Sequence, residues 1–164
     1  MDVGLVGQEG MAGLPVLLGG TGHSHHAVVQ VAGKAWQLPA KRLLTEFNRG
    51  EALHDLLLRY MQAMLAQTAQ TVVCNRFHTT EERLARWLLL TADCLAADTF
   101  LLTHEVISIT LGVRRAGVTV AAGILSQAGL VSYHRGRMTI VDRPGLEDFA
   151  CECYEVVRDA FAAV

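Results

Sequence analysis

The sequence predicts an α+β fold in which a thin glycine-rich β segment precedes a long helix and a helical C-terminal part that ends near a β-hairpin. Eight glycines interrupt short apolar runs within the first 33 residues, which is typical of short strands joined by turns. From Arg42 to Asn75 there is no proline and only one glycine, and apolar residues recur at helical spacing. Beyond residue 100, two helical patterns are followed by two short apolar runs around a tight turn.

Length and composition exclude several classes of protein. A chain of 164 residues forms one mid-sized domain or two small ones, so it is not a large multidomain enzyme. With 51% hydrophobic and 18% charged residues, the chain is expected to fold and to bury apolar surface against a partner. No apolar run approaches the roughly 18 residues of a membrane span, and no basic start precedes an apolar stretch. We therefore expect a soluble cytoplasmic protein that does not contact a membrane.

The N-terminal segment, residues 1–40, contains two candidate strands. Ala27–Ala32 and Lys34–Leu38 are separated by Gly33. Two or three strands do not form an independently stable sheet. Either this segment packs on something else, or part of a barrel is missing upstream.

The second segment, residues 41–75, predicts one long helix. Its apolar ladder has spacings of four, three and four and consists of Leu53, Leu57, Tyr60 and Met64. Because a single long helix beside so thin a β segment needs a partner to cover it, we expect a homodimer along this ladder. The alternative is that the ladder is one face of an ordinary buried helix.

The third segment, residues 76–164, begins with a capping box formed by Thr79 and Glu82, which starts a new helix. After a connection over Asp93–Leu102, Thr103 is the expected N-cap of a short helix over His104–Leu111. The next elements are a break at Gly112, a second helix from about Arg114 to Gln127, and a hairpin around the turn His134–Arg137.

Helix, turn, helix and hairpin in this order are the winged form of the helix-turn-helix, with the helices over about 103–127 and the wing over about 130–142. Ser108 and Gly112 allow the two helices to approach closely. The second helix is expected to turn Val113, Val118, Ala121 and Leu125 to the core and its opposite face to the DNA major groove. The residues expected to meet DNA are Thr103, His104, Arg114, Arg115, Ala116, Gly117, Thr119, Val120, Arg135 and Arg137.

Charge is distributed unevenly although the net charge is only −2. From Thr103 to Arg143 there are five arginines and two acidic residues. Arginines at the start of the second helix would reach guanine edges or phosphates, and Arg135 and Arg137 would hold the DNA backbone beside them. For each arginine the alternative is a solvated surface charge, and a GC-rich genome would also favour arginine over lysine.

These residues resemble the DNA-binding domain of the Crp/Fnr transcription regulators. The similar runs are Leu102–Glu105, Leu111–Thr119, Gly129–Val131 and Arg135–Arg137. Upstream, Cys74–Arg76 and Glu82–Leu88 resemble the family's passage from a long dimer helix into that domain. Glu9–Pro15 resembles the second half of its cyclic-nucleotide-binding-like β-roll. The resemblance implies a partial β-roll over 1–40, a dimerisation helix over 41–75 and a winged helix-turn-helix over 76–164, in a member shortened at its N-terminus.

Departures from the family pattern limit what the resemblance implies. In members that bind cyclic AMP, a glutamate holds the ribose and an arginine holds the cyclic phosphate, and the aligned positions here are Met11 and His25. Neither side chain can replace those contacts, so we expect cyclic-nucleotide independence. Ala116 and Val120 replace a glutamate and an arginine of the best-known member's recognition helix. The operator sequence therefore cannot be transferred.

No metal, cofactor or catalytic motif is expected. His23, Ser24, His25 and His26 lie in a glycine-rich loop with no nearby cysteine or acid to complete a site. Cys151 and Cys153 would lie about 200° apart on a predicted C-terminal helix, so both cannot readily hold one ion without local unwinding of the helix. The remaining cysteines, Cys74 and Cys94, are scattered, and no N-terminal cysteine group suits an iron–sulfur cluster. Since no nucleophile or phosphate-loop motif occurs either, the chain is not expected to be an enzyme.

The sequence thus predicts a transcription regulator that binds double-stranded DNA as a homodimer at a two-fold symmetric operator. The resemblance adds RNA polymerase as a further partner. One alternative is a shortened interaction protein that forms heterodimers with a full-length relative and modulates it. Another is that the true start codon lies upstream of Met1.

Overall fold

The computed structural model describes residues 3–20 and 26–164. A 3₁₀ helix spans Leu14–Leu18. The α-helices are α1 (Ala40–Phe47), α2 (Ala52–Phe77), α3 (Thr80–Leu95), α4 (His104–Leu111), α5 (Arg115–Gln127), α6 (Arg143–Phe149) and α7 (Cys153–Ala162). The strands are β1 (Thr99–Leu101), β2 (Val131–His134) and β3 (Arg137–Ile140).

The N-terminal segment lies along α2 and forms no strand in its described parts. The predicted strands over Ala27–Ala32 and Lys34–Leu38 are wrong, and the described residues of 1–40 build no β-roll. A strand needs a hydrogen-bonded neighbour, and among the described residues no strand pairs with these two runs. Earlier in the segment, backbone amides bind side chains of α2. The Leu5 amide donates to Gln67 Oε1 at 2.6 Å, and the Met11 amide donates to the Tyr60 hydroxyl at 3.1 Å.

The predicted long helix is interrupted near its start. Its two parts, α1 and α2, are separated at Gly50, whose φ of +70° is a conformation that side-chain-bearing residues rarely adopt. The interruption folds α1 back so that Leu43 and Phe47 pack against Leu57 and Met61. The helix that follows is therefore partly covered by its own chain.

Helix α3 provides the centre of the main core. Its predicted capping box is confirmed: the Thr79 hydroxyl accepts from the Glu82 amide at 3.3 Å, and the Glu82 carboxylate accepts from the Thr79 amide at 2.7 Å. Leu84 and Leu88 are completely buried. The predicted connection over Asp93–Leu102 instead contains the last turn of α3 and the strand β1.

The three strands form an antiparallel sheet in the order β1-β3-β2. Phe100 of β1 and Tyr133 of β2 both lie opposite Met138 of β3. Arg135 and Gly136 join β2 to β3 with φ angles of +49° and +76°, which matches a two-residue hairpin turn of the type that follows strand twist. The predicted hairpin is confirmed.

The C-terminal helices close the structure on α2 and α3. Arg143, at the start of α6, forms ion pairs with Asp93, Asp98 and Glu147 and donates to the Tyr154 hydroxyl. On α7, Phe161 packs edge-on against Tyr60 with ring centroids 6.1 Å apart. These contacts fix the second half of the chain against the long helix.

Within the described ranges no single helix is long and apolar enough to cross a membrane. The pair α4 and α5 meets the length and composition criteria only when its two helices are taken together across their 106° bend.

Candidate DNA-binding surface

Helices α4 and α5 form the predicted helix-turn-helix. Gly112 ends α4 in the left-handed region, with a φ of +65°, and α5 departs at 106° to α4. The core-facing positions of α5 are confirmed for Val118, Ala121 and Leu125, which are buried, and Val113 is half-buried. Packing on this side leaves the opposite face of α5 in solvent.

The exposed face of α5 begins with basic residues. Arg114, Arg115, Ala116, Thr119 and Val120 are exposed. Gly117 lies between them and is half-buried. The first turn of α5 carries no acidic residue, so the partial positive charge of its amino end is not offset within the helix. Basic side chains and free backbone amides are thus presented together, which is the chemistry that binds phosphate.

His104 holds this face against the wing. Its Nδ1 lies 3.1 Å from the Thr119 hydroxyl, and its ring stacks on Tyr133 with centroids 4.5 Å apart. Burial, and then the charge of Arg115, lower the pKa of His104, which favours the neutral ring. Thr103 precedes it as the N-cap of α4, accepting from the Val106 amide at 3.3 Å. In this conformation the side chains of Thr103 and His104 make contacts within the domain that hold its elements in place.

The wing adds two more exposed cations, Arg135 in the turn and Arg137 at the start of β3. The Leu102 amide donates to the Gly136 carbonyl at 2.7 Å, which ties the turn to the strand that enters α4. Among the described residues, neither these arginines nor Arg114 and Arg115 form an ion pair within the chain. All four charges are therefore open to an anionic partner.

The predicted dimer ladder does not form one exposed face. Leu57 is 6% exposed and Tyr60 is 3% exposed, because the N-terminal segment, α1 and α7 cover them. Met64 is half-buried, and Leu53 is 38% exposed. Assigning Leu57 and Tyr60 to a partner contact was wrong for this conformation, since the sequence alone did not show that the chain folds back on this side of α2.

Of the two positions aligned with the family's cyclic-nucleotide contacts, only Met11 lies among the described residues. Met11 packs with the N-terminal cluster over α1 and α2. His23, Ser24 and His25 lie outside the described residues, so the expected loop and its histidines are untested there.

One cluster was missed by sequence reasoning. Cys151 precedes α7 rather than lying on it, so the angular separation expected for Cys151 and Cys153 on one helix does not apply. Both thiols meet Cys74 and His78 from the end of α2. The sequence does contain two pairs with metal-ligand spacing, Cys74-x₃-His78 and Cys151-x-Cys153. Nothing in the sequence around either pair indicates that the two pairs lie together in the fold.

The fold and the exposed basic face define a winged helix-turn-helix protein. Residues 82–149 match the family model of the Crp-like helix-turn-helix domain. Residues 82–149 therefore form a domain of this Crp-like type, and the resemblance inferred from sequence is confirmed for this part of the chain.

Solved structures of Crp/Fnr regulators share the fold. A family member from Thermus thermophilus is 22% identical with a TM-score of 0.55, the match covering 60% of this chain and 54% of that one. FixK2 from Bradyrhizobium japonicum is 18% identical with a TM-score of 0.56, the match covering 66% of this chain and 59% of FixK2. The matches thus span little more than half of these structures. A search of curated protein sequences gives no match.

Proposed function

We propose that the protein is a Crp/Fnr-type transcription regulator that binds double-stranded DNA with α5 in the major groove. The observation that carries this proposal is the set of four exposed arginines around a Crp-like helix-turn-helix, none of which forms an ion pair with another described residue. Arginine donates two parallel hydrogen bonds to guanine or to phosphate, and it does so best where no carboxylate competes.

The residues on the exposed face of α5 are expected to contact different parts of the DNA, according to their position along the helix. Arg114 and Arg115 stand at the amino end, the part of a recognition helix that contacts base edges or flanking phosphates. Thr119 is one turn further along, and its hydroxyl is shared with His104. Ala116, Gly117 and Val120 keep the face small enough to enter the groove and can contact a thymine methyl.

The wing supplies affinity rather than sequence selection. Arg135 and Arg137 lie on a hairpin tip beside the helix-turn-helix, where side chains meet the sugar–phosphate backbone. Such contacts act on DNA of any sequence and weaken as salt rises.

Dimerisation uses a different stripe of α2 from the predicted ladder. Leu58, Leu65 and Val72 recur every seven residues and are 44%, 66% and 65% exposed. A seven-residue apolar repeat supplies one of the two apolar positions per heptad through which two copies of one helix pack side by side. A second copy of this chain therefore covers the stripe, and the pair of α5 helices then reads a two-fold symmetric operator.

The proposed regulator acts without a cyclic nucleotide and is not an enzyme. At Met11 the thioether offers no strong acceptor for a ribose hydroxyl, and the backbone amide and carbonyl are both engaged by Tyr60. RNA polymerase as a further partner rests on the family resemblance alone.

A second candidate function is a heterodimeric modulator of a full-length relative. It is favoured by the absence of strands from the described residues of the N-terminal segment. This candidate predicts that the purified chain alone binds no DNA and that it gains or blocks binding only when mixed with a longer relative.

Binding of a random-sequence duplex pool by fluorescence anisotropy tests the proposal. The wild-type chain should bind at moderate salt, and Arg114→Ala with Arg115→Ala should weaken binding. Arg158→Ala, an exposed arginine on α7, is the matched control and should bind like the wild type. Equal binding by all three proteins would contradict the assignment of α5 as the DNA-contacting helix.

A further inference from the structure

We propose that Cys74, His78, Cys151 and Cys153 form a zinc site that joins the C-terminal end of α2 to the segment between α6 and α7. The site goes beyond the proposed DNA binding and corrects the expectation of no metal ligands in this chain. It was found where two distant parts of the sequence meet in the fold.

The four ligand atoms have the spacing of a tetrahedral site. One atom from each residue lies within 4.8 Å of all the others. The sulfur atoms of Cys74 and Cys151 are 3.5 Å apart, and Cys153 Sγ lies 3.4 Å from His78 Nδ1. Since a zinc–sulfur bond is about 2.3 Å, tetrahedral sulfur ligands stand about 3.8 Å apart, so small shifts would place all four around one ion.

Secondary structure brings the ligands together on one side. Cys74 and His78 are four residues apart at the end of α2, where side chains of this spacing share a face. Cys151 lies in the short connection after α6, and Cys153 is the first residue of α7. The connection is irregular there, which lets two cysteines separated by one residue point to the same place.

Burial indicates a structural site rather than a catalytic one. Cys153, Cys74 and Cys151 are 0%, 1% and 5% exposed, and His78 keeps 14% of its side chain exposed. Four protein ligands complete the coordination of zinc and leave no position for water or substrate.

Neighbouring residues orient the ligands as they do in zinc proteins. His78 turns Nδ1 toward the sulfur cluster and Nε2 toward the Glu152 carboxylate, 3.3 Å away. A carboxylate on the far nitrogen fixes the ring and its protonation for metal binding. Gln70 Nε2 donates to Cys153 Sγ at 3.1 Å, which would support a thiolate.

A buried cation beside the cluster gives a second, independent indication. Arg86 is 6% exposed and acts electrostatically on Cys74. It donates to the Thr71 hydroxyl at 3.0 Å, but its Nε and Nη1 are buried with no hydrogen-bond partner among the described residues. A buried unpaired charge is costly. Zinc with three thiolates and one neutral imidazole carries a net charge of −1, which would offset the guanidinium.

The donor set favours zinc over the other metals that thiolates bind. Three thiolates and one imidazole in a tetrahedron are a common structural zinc set. An iron–sulfur cluster would spread its ligands over several irons, whereas these ligand atoms converge on one point.

A zinc ion here would fix the orientation of the DNA-binding part on the long helix. The ligands connect the last turn of α2, just before α3 begins, to the segment that follows α6. Zinc binding would therefore restrict rotation at the α2–α3 junction, which sets the position of α5 relative to a partner's α5.

The test is metal analysis of the whole chain purified without a histidine tag, by mass spectrometry, followed by chelation and addition of zinc chloride. The expected result is one zinc per chain, removable by chelator and restored by zinc chloride, with the thiols protected from alkylation when zinc is bound. Cobalt substitution should give the visible absorption of a tetrahedral thiolate site. Folded wild-type protein that contains no zinc and takes none up would overturn the proposal, and so would a Cys74–Cys151 disulfide found in its place.

Variants locate the site. Cys151→Ser and His78→Gln should lose the zinc, whereas Cys94→Ser, a cysteine on α3 outside the cluster, should retain it. Because a ligand variant can lose its fold, Glu152→Gln provides a milder test. Removing the carboxylate partner should weaken zinc affinity by about 10- to 100-fold. Glu155→Gln, which changes an exposed glutamate on α7, is its control. Unchanged zinc content in Cys151→Ser would contradict the assignment.

Discussion

His104 of α4 stacks on Tyr133 of β2 with ring centroids 4.5 Å apart and an angle of 21° between the ring planes. Its Nδ1 also lies 3.1 Å from the hydroxyl of Thr119 on α5. One side chain therefore connects both helices of the helix-turn-helix to the wing. These contacts fix the helix-turn-helix relative to the wing, and they are a hydrogen bond and a ring stack rather than an ion pair.

The pKa of His104 predicts how stability depends on pH. Burial and then Arg115 lower this pKa, so the unfolded chain binds the proton more tightly than the folded chain. The neutral ring's contribution is fully present above the unfolded pKa of about 6.5 and is lost as the pH falls from there through the lower pKa of the folded state. We expect His104→Gln to make the free energy of unfolding fall less steeply between about pH 7 and 5, as measured by urea titration. Parallel pH profiles for the two proteins would contradict this role.

Arg115 and Arg137 should respond differently to substitution. Arg115→Ala should cost about 1 to 3 kcal/mol on a selected site and relax sequence preference, because it removes a base contact. Arg137→Ala should weaken selected and random DNA by the same factor and reduce the salt dependence, because it removes a phosphate contact. Anisotropy titrations against both duplexes distinguish them. Equal losses on both duplexes for both variants would refute the division of roles.

The stripe on α2 should control self-association. Leu65→Glu and Val72→Glu place charges in the proposed helix pair and should shift the protein toward monomer in sedimentation equilibrium. DNA affinity should fall with them, because two half-sites are then no longer bound as one unit. Val120→Glu, a similarly exposed apolar residue on α5, should leave the association state unchanged. A dimer that survives both α2 substitutions would place the interface elsewhere.

Two isoleucines on α4 provide a matched test of the core. Ile107 is 0% exposed and Ile109 is 62% exposed. Ile107→Ala should lower the free energy of unfolding by about 2 to 5 kcal/mol because it leaves a cavity. Ile109→Ala should change it by no more than about 0.5 kcal/mol. Similar losses at both positions, measured by chemical denaturation, would be inconsistent with the packing of α4.

The helix-turn-helix and wing were predictable because their signals are local. Thr103 caps α4, Gly112 ends it, and the Arg135–Gly136 turn sets the hairpin register. Strand β1 was not predictable, since it has only three residues and forms by pairing with β3 across a long stretch of chain. At residues 27–32 a strand was predicted but none forms, because this run has the composition of a strand but no neighbouring strand among the described residues to pair with.

The buried side of α2 and the cysteine cluster escaped prediction for a related reason. Tyr60 and Leu57 have the periodicity of a partner-facing ladder, and periodicity cannot distinguish a second chain from the same chain folded back. The contact of Cys74 with Cys151 joins residues 77 positions apart, so no local pattern announces it. The sequence shows that these cysteines are present, but only the folded structure shows that they lie next to each other.

We expect this chain alone to read DNA through paired α5 helices. The most direct measurement is selection of bound fragments from the source genome by the purified protein at moderate salt, with Arg115→Ala in parallel. The wild type should enrich an inverted repeat, and the variant should lose that enrichment. A folded wild-type protein that enriches no common sequence would contradict this expectation.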